Sequence, residues 1–372
     1  MRALAAIALL SSLPDLAEPC VGVDYEFRKS SKFKFPPPRT HPYGVATMQK
    51  PRLLFWFTPR RAITACAALV FIQICYLLLR DGQMLQTAYV EDSPSSIKHE
   101  LVSLTNNYKK KESNKSAAGA KSTVGVVLAS IRSDDLTWLR DYCHETGSTP
   151  FVYSGDQNPE PGLLIPANLR GREAPAYLSY VVDFYDNLPD YSIFVHAHPE
   201  QWHNDLFGPF THDTLRNIRF QSVDALGYVN LRCEHDPGCP TGVNPLNPTK
   251  IDIEGKDIRA YFADAYQEIF NVPRSEVPKE IGNVCCGQFV VSRERILQRP
   301  KEDYQRILNW AGTTKQTDSF GVGWVMEKLW HIVFGMDAIY CPRYEQCRCD
   351  VYGWCGPLPS GETLTPATKN EL

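Results

Sequence analysis

No G-x-G-x-x-G and no G-x-x-x-x-G-K-[ST] run occurs in the 372 residues, so a standard dinucleotide or ATP site has no support. No segment repeats. No Cys-x-x-Cys pair is present, which weakens a zinc reading of the twelve cysteines. Basic charge is not in excess: 39 Lys and Arg face 42 Asp and Glu, a formal net charge of -3. That balance argues against nucleic acid as a partner. Glycosylation signals are sparse. Asn114-Lys115-Ser116 is the one usable sequon, because proline blocks Asn247-Pro248-Thr249.

The longest feature present is an uncharged run, residues 62–79, in which only Thr64 and Gln73 are markedly polar. As a helix it spans roughly 27 Å, about one hydrocarbon core. A buried core helix normally keeps a polar face; this run has none, so it reads as a single membrane span. Lys50, Arg52, Arg60 and Arg61 precede it, while Asp81, Glu91 and Asp92 lie beyond it. The positive side is N-terminal, which places residues 1–61 in the cytosol and the bulk of the chain in the lumen of the Golgi or endoplasmic reticulum. Met1 to Ala17 also resembles a short signal peptide, and Met48 begins a natural signal-anchor sequence. We expect residues 1–47 to be disordered, and Met48 to be an alternative start.

Nine cysteines follow the span, an odd number, so at least one thiol stays free or pairs between chains. In an oxidising lumen disulfides are favoured over a metal. Most of Cys341, Cys347, Cys349 and Cys355 are expected to be bonded, and Cys233 to close a small loop with Cys239. Residues 80–123 read as a polar stem without sustained periodicity, and residues 357–372 as a disordered tail.

From Val124 the pattern changes. Val124–Ala129, Pro150–Tyr153, Tyr191–Val195 and Gln288–Val291 are apolar strand-like runs. Between them fall helical stretches at 136–142, with Asp134 or Asp135 as cap, and at 173–187, 211–223 and 257–270. More begin at Glu294, Lys301 and Gly323. Strands separated by helices imply an α/β fold over 124–356 with a largely parallel sheet flanked by helices.

The densest chemistry is Asp190–Asp205, DYSIFVHAHPEQWHND. A buried strand runs into His196 and His198, two apart and so on one face of extended chain. His203 and Asp205 follow a turn that contains proline. Ligands of α/β sheets bind outside the carboxyl ends of their strands, which makes this cluster a candidate site. His196, His198, His203 and Asp205 are candidate ligands of a divalent metal, and imidazole favours Mn or another transition metal over Mg. Local hydrogen bonding by each histidine is the plain alternative.

N-x-x-G-R-E-A-x-x-Y-L from Asn168, H-x-H-P-x-x-W-H-N-D from His196, C-G-Q-F-V-V-S-R from Cys286 and E-K-L-W-H from Glu327 together resemble a fungal-type family of membrane-anchored proteins of unknown function. A weaker resemblance runs to rhamnan-synthesis-type and GT-A-type glycosyltransferases. It implies a GT-A-like fold that binds a nucleotide sugar as donor, with Cys286–Arg293 on the acceptor side. Such folds usually hold a divalent metal through Asp-x-Asp; His196-Ala197-His198 stands at the corresponding place. The expected function is therefore transfer of a sugar from a nucleotide donor to a glycan or protein.

In that reading Arg172 contacts the diphosphate at a helix start, with Glu173, Asn168, Trp202 and Gln288 as further substrate-binding residues. Glu327 is the candidate base and shares a helix face with His331; Asp318 is the alternative base. Two other classes compete. One is a metal-dependent hydrolase, though H-x-H-x4-H-x-D departs from the familiar H-x-H-x-D-H pattern. The other is a non-catalytic glycan-binding or scaffolding protein on a transferase-like fold.

Overall fold

The computed structural model describes residue 73, residues 94–112 and residues 122–357. The chain divides into two units, Met1–Arg80 and Asp81–Leu372. Gln73 apart, the described residues all belong to the second. The expected cytosolic segment and, Gln73 apart, the expected membrane span thus lie outside them, as does the tail beyond residue 357. Among the described residues no helix is long and apolar enough to cross a membrane.

The central sheet has five strands: β1 (Val124–Ser130), β2 (Thr149–Ser154), β3 (Tyr191–Phe194), β4 (Tyr228–Asn230) and, later in the chain, β6 (Phe289–Ser292). Their order is β2-β1-β3-β6-β4. β1 pairs in parallel with both β2 and β3. β6 runs antiparallel to both β3 and β4. The sheet is therefore mixed: the parallel half expected from the sequence is present, and one strand is inserted against its direction. β5 (Gly282–Asn283) and β7 (Ile339–Tyr340) form a separate two-stranded pair.

Alternation along each strand makes the sheet a two-sided core. Val127, Phe194, Phe289 and Val291 face one side, where Tyr177, Trp330 and Phe334 meet them. Val126, Leu128, Ile193, Val195 and Val290 face the other. The first side is covered by α3 (Ala174–Phe184), α9 (Lys301–Thr313) and α10 (Ser319–Val333). The second is covered by α1 (Pro94–Glu112), α2 (Thr137–Thr146), α5 (Phe220–Leu226) and α11 (Tyr344–Tyr352). Both faces are buried, which is why the strands read as continuous apolar runs. The expected helix at 211–223 is two pieces, α4 (Thr211–Arg216) and α5, separated by Asn217–Arg219. Three short helices complete the α-helices of residues 94–357: α6 (Lys250–Glu254), α7 (Phe262–Phe270) and α8 (Arg293–Leu297).

Helix α1 corrects the expectation of a structureless stem. Ile97, Leu101 and Tyr108 are buried, and Thr105 Oγ1 donates to the Pro150 carbonyl at 2.6 Å. These positions, three or four apart, form one stripe along the helix. Lysines, serines and asparagines on the opposite faces dilute that stripe in the sequence. Lys98 is also buried and pairs with Glu160 at 2.6 Å.

Four disulfides link Cys233 to Cys347, Cys239 to Cys341, Cys285 to Cys286 and Cys349 to Cys355. All four C-terminal cysteines are bonded, as expected. The expected Cys233–Cys239 loop does not form. Both cysteines instead tie the segment after β4 to the C-terminal segment. Cys143 is the free thiol among the described residues, and burial pushes it up to about 12.

Candidate functional site

The carboxyl ends of β1 and β3 open onto the N-terminus of α3, and a cleft of ≈ 320 Å³ lies between them. The turn into α3 is held from outside. Asn168 Oδ1 accepts from Arg170 N, and Asn168 Nδ2 donates to the Leu308 carbonyl. The Arg170 guanidinium donates to the carbonyls of Gly312, Thr314 and Thr317. Gly171 has φ 109, and a β carbon there would lie 2.6 Å from Val322 Cγ1. Only glycine fits that approach to α10.

Arg172 follows with φ 57, the left-handed region that non-glycine residues seldom occupy. Its neighbours on both sides are anchored, so this backbone is imposed on it. Its exposed guanidinium lies 4.6 Å from the centre of the Phe320 ring, at the start of α10. Asn168, Arg172, Glu173, His196 and His198 all line the cleft, together with Asp134, Ser154 and Ser319.

β6 positions the histidines. Its register, Phe194 opposite Phe289, carries the preceding residues Cys286 and Gln288 alongside the end of β3. The Cys286 carbonyl lies 2.9 Å from His196 Nε2. A carbonyl only accepts, so Nε2 is the donor in this contact. The buried Gln288 accepts from His196 N and donates to Asn204 Oδ1 at 3.0 Å. It positions the loop and does not line the cleft. His198 Nδ1 sits 2.9 Å from Glu200 O and 3.2 Å from Glu200 N.

The remaining sequence candidates are not gathered there. His203 is buried edge-on to His196, with ring centres 5.3 Å apart. Burial, with the nearby charges of His196 and Arg232, depresses His203 to about 3, so it stays neutral. Asp205 Oδ2 accepts from the amides of Cys233 and Glu234 at 2.8 Å and 2.7 Å. It is committed to shaping the loop after β4. Among the described residues no group of three or more His, Cys, Asp or Glu side chains is placed to hold a metal ion. The four side chains therefore do not form the expected ligand set.

Trp202 is 73% exposed beside Arg232, outside the cleft lining. Asp318 caps α10 by accepting from Gly321 N at 2.9 Å. Glu327 lies two turns farther along α10, paired with Lys328 at 3.2 Å. Neither carboxylate lines the cleft. His331 turns inward to the Ala338 carbonyl, and burial lowers it to about 4. The carboxylates at the cleft are Glu173 and Asp134. Asp134 enters the sequence reading only as a helix cap, and its Oδ2 accepts from Ile131 N at 2.8 Å. Its place just past the end of β1 was the available signal.

Residues 126–350 of the 372 match the family described as "Protein of unknown function (DUF3431)". The match covers more than half of the chain, and the chain belongs to this family. It falls within residues 124–356, the stretch expected from the sequence to hold the α/β fold. No curated protein and no solved structure matches the chain.

Proposed function

We propose that this member of the family is a membrane-anchored, GT-A-like sugar transferase of the Golgi or endoplasmic reticulum. It moves a sugar from a nucleotide donor to a hydroxyl of a glycan or protein. One observation carries the reading: Arg172, Glu173, His196 and His198 line a single cleft at the carboxyl edge of the sheet. β6, the segment that resembles the acceptor-side strand, lies directly beside β3.

In this reading Arg172 and the start of α3 meet the donor diphosphate, where bidentate hydrogen bonding and the helix dipole favour negative charge. His196 and His198 meet the phosphates or the sugar. The base role passes from Glu327 and Asp318 to Glu173, because Glu173 is the carboxylate adjoining Arg172 in the cleft. The acceptor oxygen attacks the anomeric carbon and its proton goes to Glu173. The bond to the diphosphate breaks, and the nucleotide leaves with the electron pair. Every atom and proton in this step is accounted for by the donor, the acceptor and Glu173.

Thermal unfolding of the full chain in detergent tests the proposal. A panel of nucleotide sugars is supplied with and without Mn. A binding donor at one hundred times its Kd adds about 2.7 kcal/mol. The expected result is a raised midpoint with at least one donor, abolished in Arg172→Ala. A flat response to every donor would favour the non-catalytic reading.

A further inference from the structure

One of the four disulfides joins neighbours in the chain, Cys285 and Cys286. Cys233–Cys347 and Cys239–Cys341, by contrast, tie residues 114 and 102 apart. A disulfide stabilises a fold mainly by closing a loop in the unfolded chain, and does so more for a longer loop. A bond between adjacent residues closes no such loop, so the effect of Cys285–Cys286 is local. It makes a small ring that contains the peptide unit between the two residues. The ψ of Cys285 and the φ of Cys286 lie within that ring, and these are the soft dihedrals of the stretch. The ring therefore restricts where the Cys286 carbonyl group can stand.

That carbonyl is the one 2.9 Å from His196 Nε2, and His196 lines the cleft. The segment is anchored on either side. Asn230 Nδ2 donates to the Val284 carbonyl at 2.9 Å, and Leu231 N donates to the Gln288 carbonyl at 3.0 Å. Between these anchors Gly287 has φ 73, a conformation that glycine adopts freely. Opening the S–S bond thus gives Cys286 and Gly287 freedom at the point where the segment meets a cleft histidine.

We propose that Cys285–Cys286 is a redox-sensitive latch on the cleft. Intact, it holds the Cys286 carbonyl on His196. Opened by a small dithiol, it releases His196 and weakens ligand binding there. Cys285 is 3% exposed and Cys286 is half-buried, so Cys286 is the more open to attack. A thiolate of the dithiol bonds to Cys286 Sγ; Cys285 leaves with the electron pair and takes a proton. The second thiol of the reagent then displaces Cys286 in the same way. Two protein thiols and one oxidised dithiol result. That the ligand affected is a nucleotide sugar rests on the transferase reading; the hold on His196 does not.

The test separates the two. Cys285→Ser/Cys286→Ser cannot form the bond and keeps the other three; it is compared with wild type as the full chain in detergent. Diethyl pyrocarbonate acylates imidazole, and peptide mapping reads the rate at each histidine. The rate at His196 is expected to rise about tenfold in the variant, the equivalent of one lost hydrogen bond. His198, held by the Glu200 backbone, is the internal reference. Dithiothreitol should raise the His196 rate in wild type and add nothing in the variant. The variant should melt within about 3 °C of wild type, since no loop is opened. Any nucleotide sugar that binds wild type should bind the variant about tenfold more weakly.

Equal His196 rates in the two proteins overturn the latch. A dithiothreitol response as large in the variant as in wild type does so as well, because it assigns the effect to the other disulfides. So does a midpoint lowered as far as by Cys239→Ser/Cys341→Ser, which makes the bond a support of the whole fold. A raised His196 rate with no nucleotide sugar bound by wild type leaves the latch standing and removes the transferase reading. Nucleotide-sugar binding with equal affinity and equal His196 rates in both proteins removes the latch alone.

Discussion

Arg172→Gly and Arg172→Ala separate what this residue does for folding from what it does for binding. A non-glycine residue in the left-handed region costs on the order of 1–3 kcal/mol. Glycine relieves that cost but adds unfolded-chain entropy of about 0.4–1 kcal/mol. Both variants lose the exposed contact with Phe320, which contributes about 0.5–1 kcal/mol. The sum leaves Arg172→Gly near wild type, or about 0.5 kcal/mol above it. Arg172→Ala keeps the strained backbone, loses the contact, and falls about 0.75 kcal/mol below wild type. The difference between the variants, a little over 1 kcal/mol, corresponds to roughly 3–5 °C in midpoint for a domain of this size. Differential scanning calorimetry of the three proteins measures it directly. Both variants should also lose any response to nucleotide sugar. An alanine variant that melts at or above the glycine variant would refute the claim that Arg172 is held there against its own preference.

Three further outcomes are expected. Leu101→Ala should lower urea stability by about 2–5 kcal/mol, because a fully buried side chain of α1 is truncated; a change under about 0.5 kcal/mol would mean that α1 does not pack on the domain. Non-reducing peptide mapping should recover Cys233 with Cys347 and Cys239 with Cys341, and loss of the latter bond should cost on the order of 4–5 kcal/mol for a loop of this size; recovery of a Cys233–Cys239 peptide contradicts the fold at the C-terminus. The folded-state values of His203 and His331, lowered to about 3 and about 4, lie below their ordinary 6.5. The unfolded chain therefore takes up protons first as the pH falls, and their stabilising contribution, complete above about pH 6.5, is lost progressively toward pH 3. Denaturant titrations between pH 7 and pH 4 should show that loss, reduced in His331→Gln; an unchanged slope in the variant would remove His331 from the account.

The strands and their burial were legible because both faces of the sheet are covered. Val124–Ser130 and Tyr191–Phe194 are apolar but for Ser130 and Ser192, and no tertiary information is needed to see that they are largely buried. The shared cleft was legible too: Arg172 and Glu173 before one helix, and His196 and His198 after one strand, line it together because consecutive α/β elements pack side by side.

Long-range pairing was beyond local pattern. The direction of β6 depends on which edge of β3 the returning chain meets, and its four residues, Phe-Val-Val-Ser, read alike in either sense. Cys233 and Cys239 are six apart in the sequence, yet their partners lie 114 and 102 residues away. Proximity along the chain pointed to the nearer bond, and packing of the C-terminal helix decided otherwise. Helix α1 was hidden because a stripe of buried residues every third or fourth position is faint when the other faces are lysine and serine. Asp205, Asp318 and Glu327 carried the right chemistry for a site in the sequence. Only the fold shows that their carboxylates are spent on backbone amides or on a neighbouring lysine, while Glu173 is left facing the cleft. Residue type is written in the sequence; whether a polar group still has an open valence is settled by what the folded chain brings to it.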